Sequence, residues 1–238
     1  MRAILFDVDG TLAKTAEADG PCFGRAYHTI FNEDPQSISW DDYAHVTDWG
    51  ILDEALGTSR GRSTTLAERT AFEFAYRDAW QHYYASDPSS CTEVPGAAAL
   101  MKDLIANPEI VCGVATGGTR AAAQFKLRTV GITPEKLSGA FANDAIPRTA
   151  IVRRAIRALG VSATDVVYLG DGRWDVLTCR ELGLAFVGVA AESSEEMLRA
   201  EGTQSVIPDF TDREMFWDAI EHATPPSSPV ADLALKGP

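Results

Sequence analysis

Residues 3–11 read Ala3-Ile4-Leu5-Phe6-Asp7-Val8-Asp9-Gly10-Thr11, an apolar run leading straight into two carboxylates, a glycine and a hydroxyl. A short apolar run bounded by Asp-Gly predicts a buried strand over 2–6 that ends in a turn. Two acids one residue apart repel each other and lose hydration on burial, so they persist where a cation or a reaction uses them. Open α/β sheets bind ligands just past the carboxyl ends of their strands, which is where this stretch puts Asp7 and Asp9. A plain Asp-Gly turn accounts for the same residues without any function. The decision therefore rests on what the rest of the chain brings to that edge.

Two textures follow. From about residue 15 to residue 91 no buried strand is evident. Leu66, Phe72, Phe74, Tyr76, Trp80, Tyr83 and Tyr84 predict one long helix, with Ser63, Thr64 or Thr65 as its cap. Ile51, Leu52, Ala55 and Leu56 predict a shorter helix ending at Gly57. The aromatic stripe reads as packing within a small inserted helical bundle. After Pro95-Gly96 the pattern alternates. Helices are predicted over 97–106, 120–130, 149–159, 174–182 and 212–220. Strands are predicted over 110–115, at Phe141-Ala142, and over 166–169, 185–189 and 205–207. Such alternation predicts βαβ units and a parallel sheet covered on both faces. The expected architecture is an α/β, doubly wound parallel-sheet core (1–14 plus 93–222), a helical insert (15–92) and a Pro/Ser-rich, loose or peripherally docked tail (223–238).

A chain of 238 residues suffices for a large domain with a smaller one inserted. The net charge of −13 argues against nucleic acid as a partner and against anionic membranes. No apolar stretch is long enough to span a bilayer, and Met1-Arg2-Ala3 leads into the first strand without a cleavable leader. Cys22, Cys91, Cys112 and Cys179 are scattered without zinc-site spacing, which predicts reduced thiols and a cytoplasmic protein. His28, His45, His82 and His222 form no metal or relay pattern and read as surface or satisfied residues.

Three further segments carry polar groups to strand or helix ends. Thr116 closes the strand over 110–115 among glycines, just ahead of a helix, where a hydroxyl and free N–H groups can hold a phosphate oxygen. A helix cap explains it equally well. Gly170-Asp171-Gly172-Arg173-Trp174-Asp175 ends a later strand, with Asp175 one helical turn beyond Asp171. These acids, facing Asp7 and Asp9, call for a cation, and hard oxygen ligands suit magnesium. Pro147-Arg148-Thr149 opens the helix before that strand, and a cation there can neutralise a nucleophile and a transferring phosphoryl group. Arg153 and Arg154 are the next candidates for the basic position.

Taken in order, Asp7-x-Asp9-Gly10-Thr11, Thr116, a basic residue, and Gly170-Asp171-x-x-x-Asp175 resemble the motifs of the haloacid-dehalogenase-like hydrolase superfamily. The resemblance spans about residues 3–210. The insert looks like the helical cap of the branch that includes phosphoglycolate phosphatases and β-phosphoglucomutases, with Thr47-Asp48 similar to the segment those caps lay over substrate. The basic position usually carries Lys and here reads Arg148; the residue after Thr116 is often Asn and here is Gly117. The resemblance implies a Mg2+-dependent phosphatase. Asp7 is then the nucleophile and Asp9 the general acid–base. Asp7, the Asp9 carbonyl and Asp171 hold the metal, Asp175 lies behind them, and Thr116, Gly117 and Arg148 bind phosphate. The partner is a small phosphorylated metabolite, and the protein a monomer or homodimer. The alternatives are a phosphomutase, a phosphonate-cleaving enzyme and a non-catalytic binding protein. A cap lysine, which phosphonate cleavage requires, is absent between Thr15 and Cys91.

Overall fold

The computed structural model describes residues 3–37 and 39–228. Its strands are β1 (Ala3–Phe6), β2 (Ala13–Lys14), β3 (Thr92–Glu93), β4 (Cys112–Ala115), β5 (Ser138–Ala140), β6 (Val166–Gly170), β7 (Ala185–Val189) and β8 (Ser205–Ile207). Six of them form one parallel sheet in the order β5-β4-β1-β6-β7-β8. The other two, β2 and β3, pair antiparallel as a separate ribbon. Every residue of β1 is buried, as a central strand covered on both faces requires. Its side chains alternate between two apolar clusters. Ile4 and Phe6 join one, Ala3 and Leu5 the other.

The strand order reverses at β1, so the crevice at the carboxyl ends of β4, β1 and β6 is where a ligand is expected. Register makes those ends flush: Phe6 sits beside Val114 on one side and Leu169 on the other. The residues that follow, Asp7, Thr116 and Asp171, therefore leave the sheet along one edge.

The helices are α1 (Ala16–Phe31), α2 (Asp48–Arg60), α3 (Leu66–Ser86), α4 (Ala97–Ala106), α5 (Arg120–Thr129), α6 (Arg148–Leu159), α7 (Arg173–Leu182), α8 (Glu192–Ala200) and α9 (Arg213–His222). Helices α1 to α3 lie between the two ribbon strands in sequence. Their apolar faces do not form a separate core: Phe23, Tyr27, Leu52, Phe72 and Trp80 belong to the same contiguous cluster as Ile4 and Phe6. Of the three capping options, Thr65 caps α3. Its hydroxyl accepts from Glu68 N–H while the Glu68 carboxylate accepts from Thr65 N–H, a reciprocal capping box.

Two readings are corrected. Helix α2 does not stop at Gly57; it begins at Asp48 and ends at Gly61, whose φ of 66° gives the left-handed C-cap. Gly57 is an interior glycine that the helix tolerates. The strand expected at Phe141-Ala142 lies just before them, at β5. Phe141 N–H donates instead to Asp144 and Ala142 N–H to the Gly118 carbonyl. Helices α1 and α8 escaped individual prediction, α1 because Gly20, Pro21 and Gly24 interrupt its pattern. Of the tail, 223–228 is docked. Phe186 N–H donates to the Thr224 carbonyl and Ser227 N–H to that of Gly202. Residues 229–238 lie outside the described residues.

The ring of Phe72 packs 4.9 Å from Phe23 and 5.5 Å from Tyr76, tying α1 to α3. Truncation of a buried Phe costs about 3–5 kcal/mol, so Phe72→Ala is expected to lower the urea midpoint accordingly; an unchanged midpoint would mean that this pairing is not part of the cooperative core.

Candidate active site

Asp7 follows β1 immediately, and its N–H is held by the Leu169 carbonyl at 2.9 Å, which fixes the carboxylate at the crevice. One oxygen each of Asp7, Asp171 and Asp175 lies within 4.8 Å of the others. The acids that the sequence places 168 positions apart thus meet at one point. Asp7 and Asp175 are buried and Asp171 half-buried.

Arg148, the first residue of α6, supplies the opposite charge. Its Nη2 is 2.9 Å from Asp7 Oδ2 and 2.9 Å from Asp175 Oδ1. Its Nη1 donates to the Val46 carbonyl at 3.2 Å. Arg153 and Arg154 are exposed and take no part. Asp175 is saturated. Its Oδ1 also accepts from Tyr168 Oη at 3.1 Å and its Oδ2 from Gly172 N–H at 3.1 Å, so it locks Arg148 and the start of α7 together.

Asp7 Oδ1 is different: it is buried and has no hydrogen-bond partner among the described residues. A buried carboxylate oxygen without a donor is costly unless something else meets it. The Asp9 carbonyl accepts no hydrogen bond from the described residues either. Gly10, with φ 74°, leaves room for the Asp171 carboxylate where a side chain would collide with it. An orphaned carboxylate oxygen, a free carbonyl and a second carboxylate are hard oxygen donors. They fit a divalent cation of the magnesium class. Without one, burial pushes the Asp7 carboxyl up to about 8 against the pull of Arg148. Desolvation, followed by the charges of Asp175 and Asp7, holds Asp171 well above the ordinary carboxylate range.

Thr116 and Gly117 follow β4. Thr116 Oγ1 accepts from Gly118 N–H at 3.1 Å, while the Gly117 N–H faces no acceptor among the described residues. Thr47 and Asp48 close over this edge from the amino end of α2. Thr47 Oγ1 donates to the Ile146 carbonyl at 2.8 Å, and Asp48 N–H donates to the Gly117 carbonyl at 2.8 Å. Asp48 Oδ2 accepts from Thr119 N–H at 2.5 Å. Burial, then the nearby Asp19 charge, pushes the Asp48 carboxyl up to about 8. The half-open chamber they border is ≈ 60 Å³, lined among others by Asp7, Asp9, Asp48, Thr116 and Arg148. A cavity of ≈ 520 Å³ adjoins it, sharing Val46, Arg148 and Trp174 as a wall.

The side chain of Asp9 does not join the carboxylate trio. Its Oδ1 turns to Thr15 Oγ1, at 2.7 Å, and to Lys126 Nζ, at 2.6 Å. Lys126 and its second partner Asp19 were not anticipated from the sequence. The signal was available for Lys126. It lies on the stripe of α5 that carries Ala122, Ala123 and Leu127, the buried face of that helix.

A family model described as haloacid dehalogenase-like hydrolase matches residues 1–183. A phosphoglycolate phosphatase of Rhodospirillum rubrum is 25% identical over 225 residues, covering 88% of each protein. Among solved structures, β-phosphoglucomutase of Clostridium difficile aligns with a TM-score of 0.67 at 16% identity, over 93% of this chain and 97% of that one. CbbY of Rhodobacter sphaeroides, solved in complex with phosphate, aligns with a TM-score of 0.65 at 21% identity, over 89% and 96%. These structural likenesses bear on the fold.

A carboxyl whose folded-state value is raised binds its proton more tightly folded than unfolded, so folding loses stability as pH climbs from about 4 through the raised value. Asp171→Asn, melted in chelator, is therefore expected to unfold a few degrees above the parent protein at pH 8 and level with it at pH 5; a lower melting temperature at pH 8 would contradict the crowding. A Cβ at Gly117 would meet Val46 O and Arg148 Nη1 at 2.7 Å. Gly117→Ala is expected to lift the 46–48 segment and speed hydrogen exchange of the Asp48 amide by about tenfold or more; unchanged exchange would show that the segment does not rest on this glycine.

Proposed function

The chain belongs to the haloacid dehalogenase-like hydrolases, and from that premise we propose that it is a magnesium-dependent phosphatase acting on a small phosphomonoester through an aspartyl-phosphate on Asp7. The observation that carries the reading is the orphaned Asp7 oxygen, buried at the strand end beside Arg148 and Asp171.

Asp7, the Asp9 carbonyl and Asp171 are the groups that would hold the cation. When bound, such a cation lowers the repulsion between the acids and the phosphoryl oxygens and offsets charge as it develops. Arg148, held by Asp175, offsets further negative charge at Asp7, and the Gly117 N–H and Thr116 hydroxyl receive phosphoryl oxygens. The Asp7 carboxylate attacks phosphorus and the ester P–O bond breaks. Asp9 gives its proton to the leaving oxygen. Water then attacks the same phosphorus, loses its proton to Asp9, and releases phosphate and the free Asp7 carboxylate.

The 46–48 stretch lies across the edge of the site, held to Gly117 and Arg148. The helical segment 15–92 is thus read as a cap whose 46–48 stretch lifts to admit substrate and closes to exclude water. The likeness to a phosphoglycolate phosphatase supports a small phosphorylated metabolite as the partner. Free thiols at all four cysteines are in keeping with a reducing cytoplasm. No helix among the described residues is long and apolar enough to cross a membrane.

A phosphomonoester panel assayed for inorganic phosphate, with and without magnesium, tests this. Activity is expected only with the metal, and Asp7→Asn is expected to abolish it; full activity in that variant removes the assignment. Sugar-phosphate isomerisation without phosphate release would replace the phosphatase reading with a mutase.

A further inference from the structure

We infer that Lys126 is a positioning residue that orients the Asp9 carboxylate for proton transfer, an inference that rests on the reading of Asp9 as the general acid–base. Lys126 comes from the middle of α5, outside every motif of the site, and is buried to 1% exposure. A solvent-free ammonium is costly unless fully paired. This one is paired on every side. Its Nζ is 2.6 Å from Asp9 Oδ1 and 2.6 Å from Asp19 Oδ1, and it stands 4.4 Å from the centre of the Trp80 ring. Asp19 in turn accepts from Tyr76 Oη at 2.5 Å. Helices α1, α3 and α5 each contribute to fixing a single charge beside Asp9.

The pairing is selective between the two oxygens of Asp9. Thr15 and Lys126 both donate to Oδ1. Oδ2 has no donor among the described residues and faces Gly118, whose absent Cβ would lie 3.6 Å away, and Asp9 lines the chamber. Two donors on one oxygen fix the carboxylate plane, and the other oxygen is left to meet the leaving group. Thr15 alone, at the head of α1, would hold it through one rotatable hydroxyl. Lys126 adds a second point anchored from a different helix, which stops rotation about the Cβ–Cγ bond. A lysine that served only to fill the interior would have no reason to engage one oxygen of the acid and leave the other open.

The test uses leaving groups that differ in how much they need a proton. 4-Nitrophenoxide departs readily without one, and phenoxide does not. For Lys126→Met, kcat/KM, which reports the step in which the leaving group departs, is expected to fall at least about tenfold further on phenyl phosphate than on 4-nitrophenyl phosphate, within the 10²–10⁴-fold range of general acid–base catalysis. A uniform loss on both substrates, or none, would overturn the inference. Should the single variant fail to fold, Asp19→Asn with Lys126→Met restores the charge balance; the same ratio is measured on it, and the same results support or overturn the role. Asp9→Asn separates the two layers of the argument. If its loss does not depend on the leaving group, the acid role of Asp9 falls and the inference with it. If Asp9→Asn shows the dependence and the lysine variant does not, only Lys126 loses its role.

Discussion

One guanidinium holds the crevice together. Three carboxylates within 4.8 Å of one another would repel the strands that carry them. Arg148 Nη2 lies 2.9 Å from both Asp7 and Asp175, and its Nε donates to Asp175 as well, at 3.0 Å. The first of these acids ends β1, the second opens the turn of α7 and Arg148 itself begins α6. The ion cluster therefore joins the centre of the sheet to two helices on one of its faces. Tyr168 extends the joint into the interior, since its one hydroxyl proton lies within reach of both the Ala115 carbonyl, at 2.9 Å, and Asp175 Oδ1, at 3.1 Å. The Arg148 charge pulls against the burial that drives these carboxyls toward their neutral form, and burial remains the larger effect.

The same arginine is fitted to Gly117. A lysine could neutralise Asp7 but is a point charge; the planar guanidinium reaches Asp7, Asp175 and the Val46 carbonyl at once. That third contact brings the 46–48 segment down onto Gly117. An asparagine side chain in place of Gly117 would occupy the space that Val46 O and Arg148 Nη1 now fill. Arg148 and Gly117 read as one adaptation, a fork that grips the segment and a gap that receives it.

How far the sequence discloses this arrangement depends on the kind of interaction. The α/β core was legible because strands such as Ala185–Val189 and helices such as Ala97–Ala106 carry their own periodicity and punctuation. Asp7, Asp9, Asp171 and Asp175 were legible because acids at strand ends are chemically conspicuous and keep a recognisable order. Arg148 was legible only as one of several arginines; what distinguishes it from Arg153 and Arg154 is burial, set by which face α6 turns to the sheet. Lys126 was not read at all. Its partners lie 117 and 107 positions away, on a turn and on a helix that glycine and proline obscure. Local pattern carries no record of pairs at that separation.

The ribbon of β2 and β3 has a mechanical consequence. Asp9 bridges to Ala13, Gly10 N–H binds the Ala13 carbonyl, and Leu12 and Ala13 both return their N–H groups to Val8. The turn bearing the acid is thus braced to the very strand from which the helical insert departs, and Glu93 brings the chain back at the neighbouring rung. Acid and insert share one lever with its fulcrum at Ala13. The backbone that carries the acid and the root of the helical insert are therefore one hydrogen-bonded unit, closed through a single alanine.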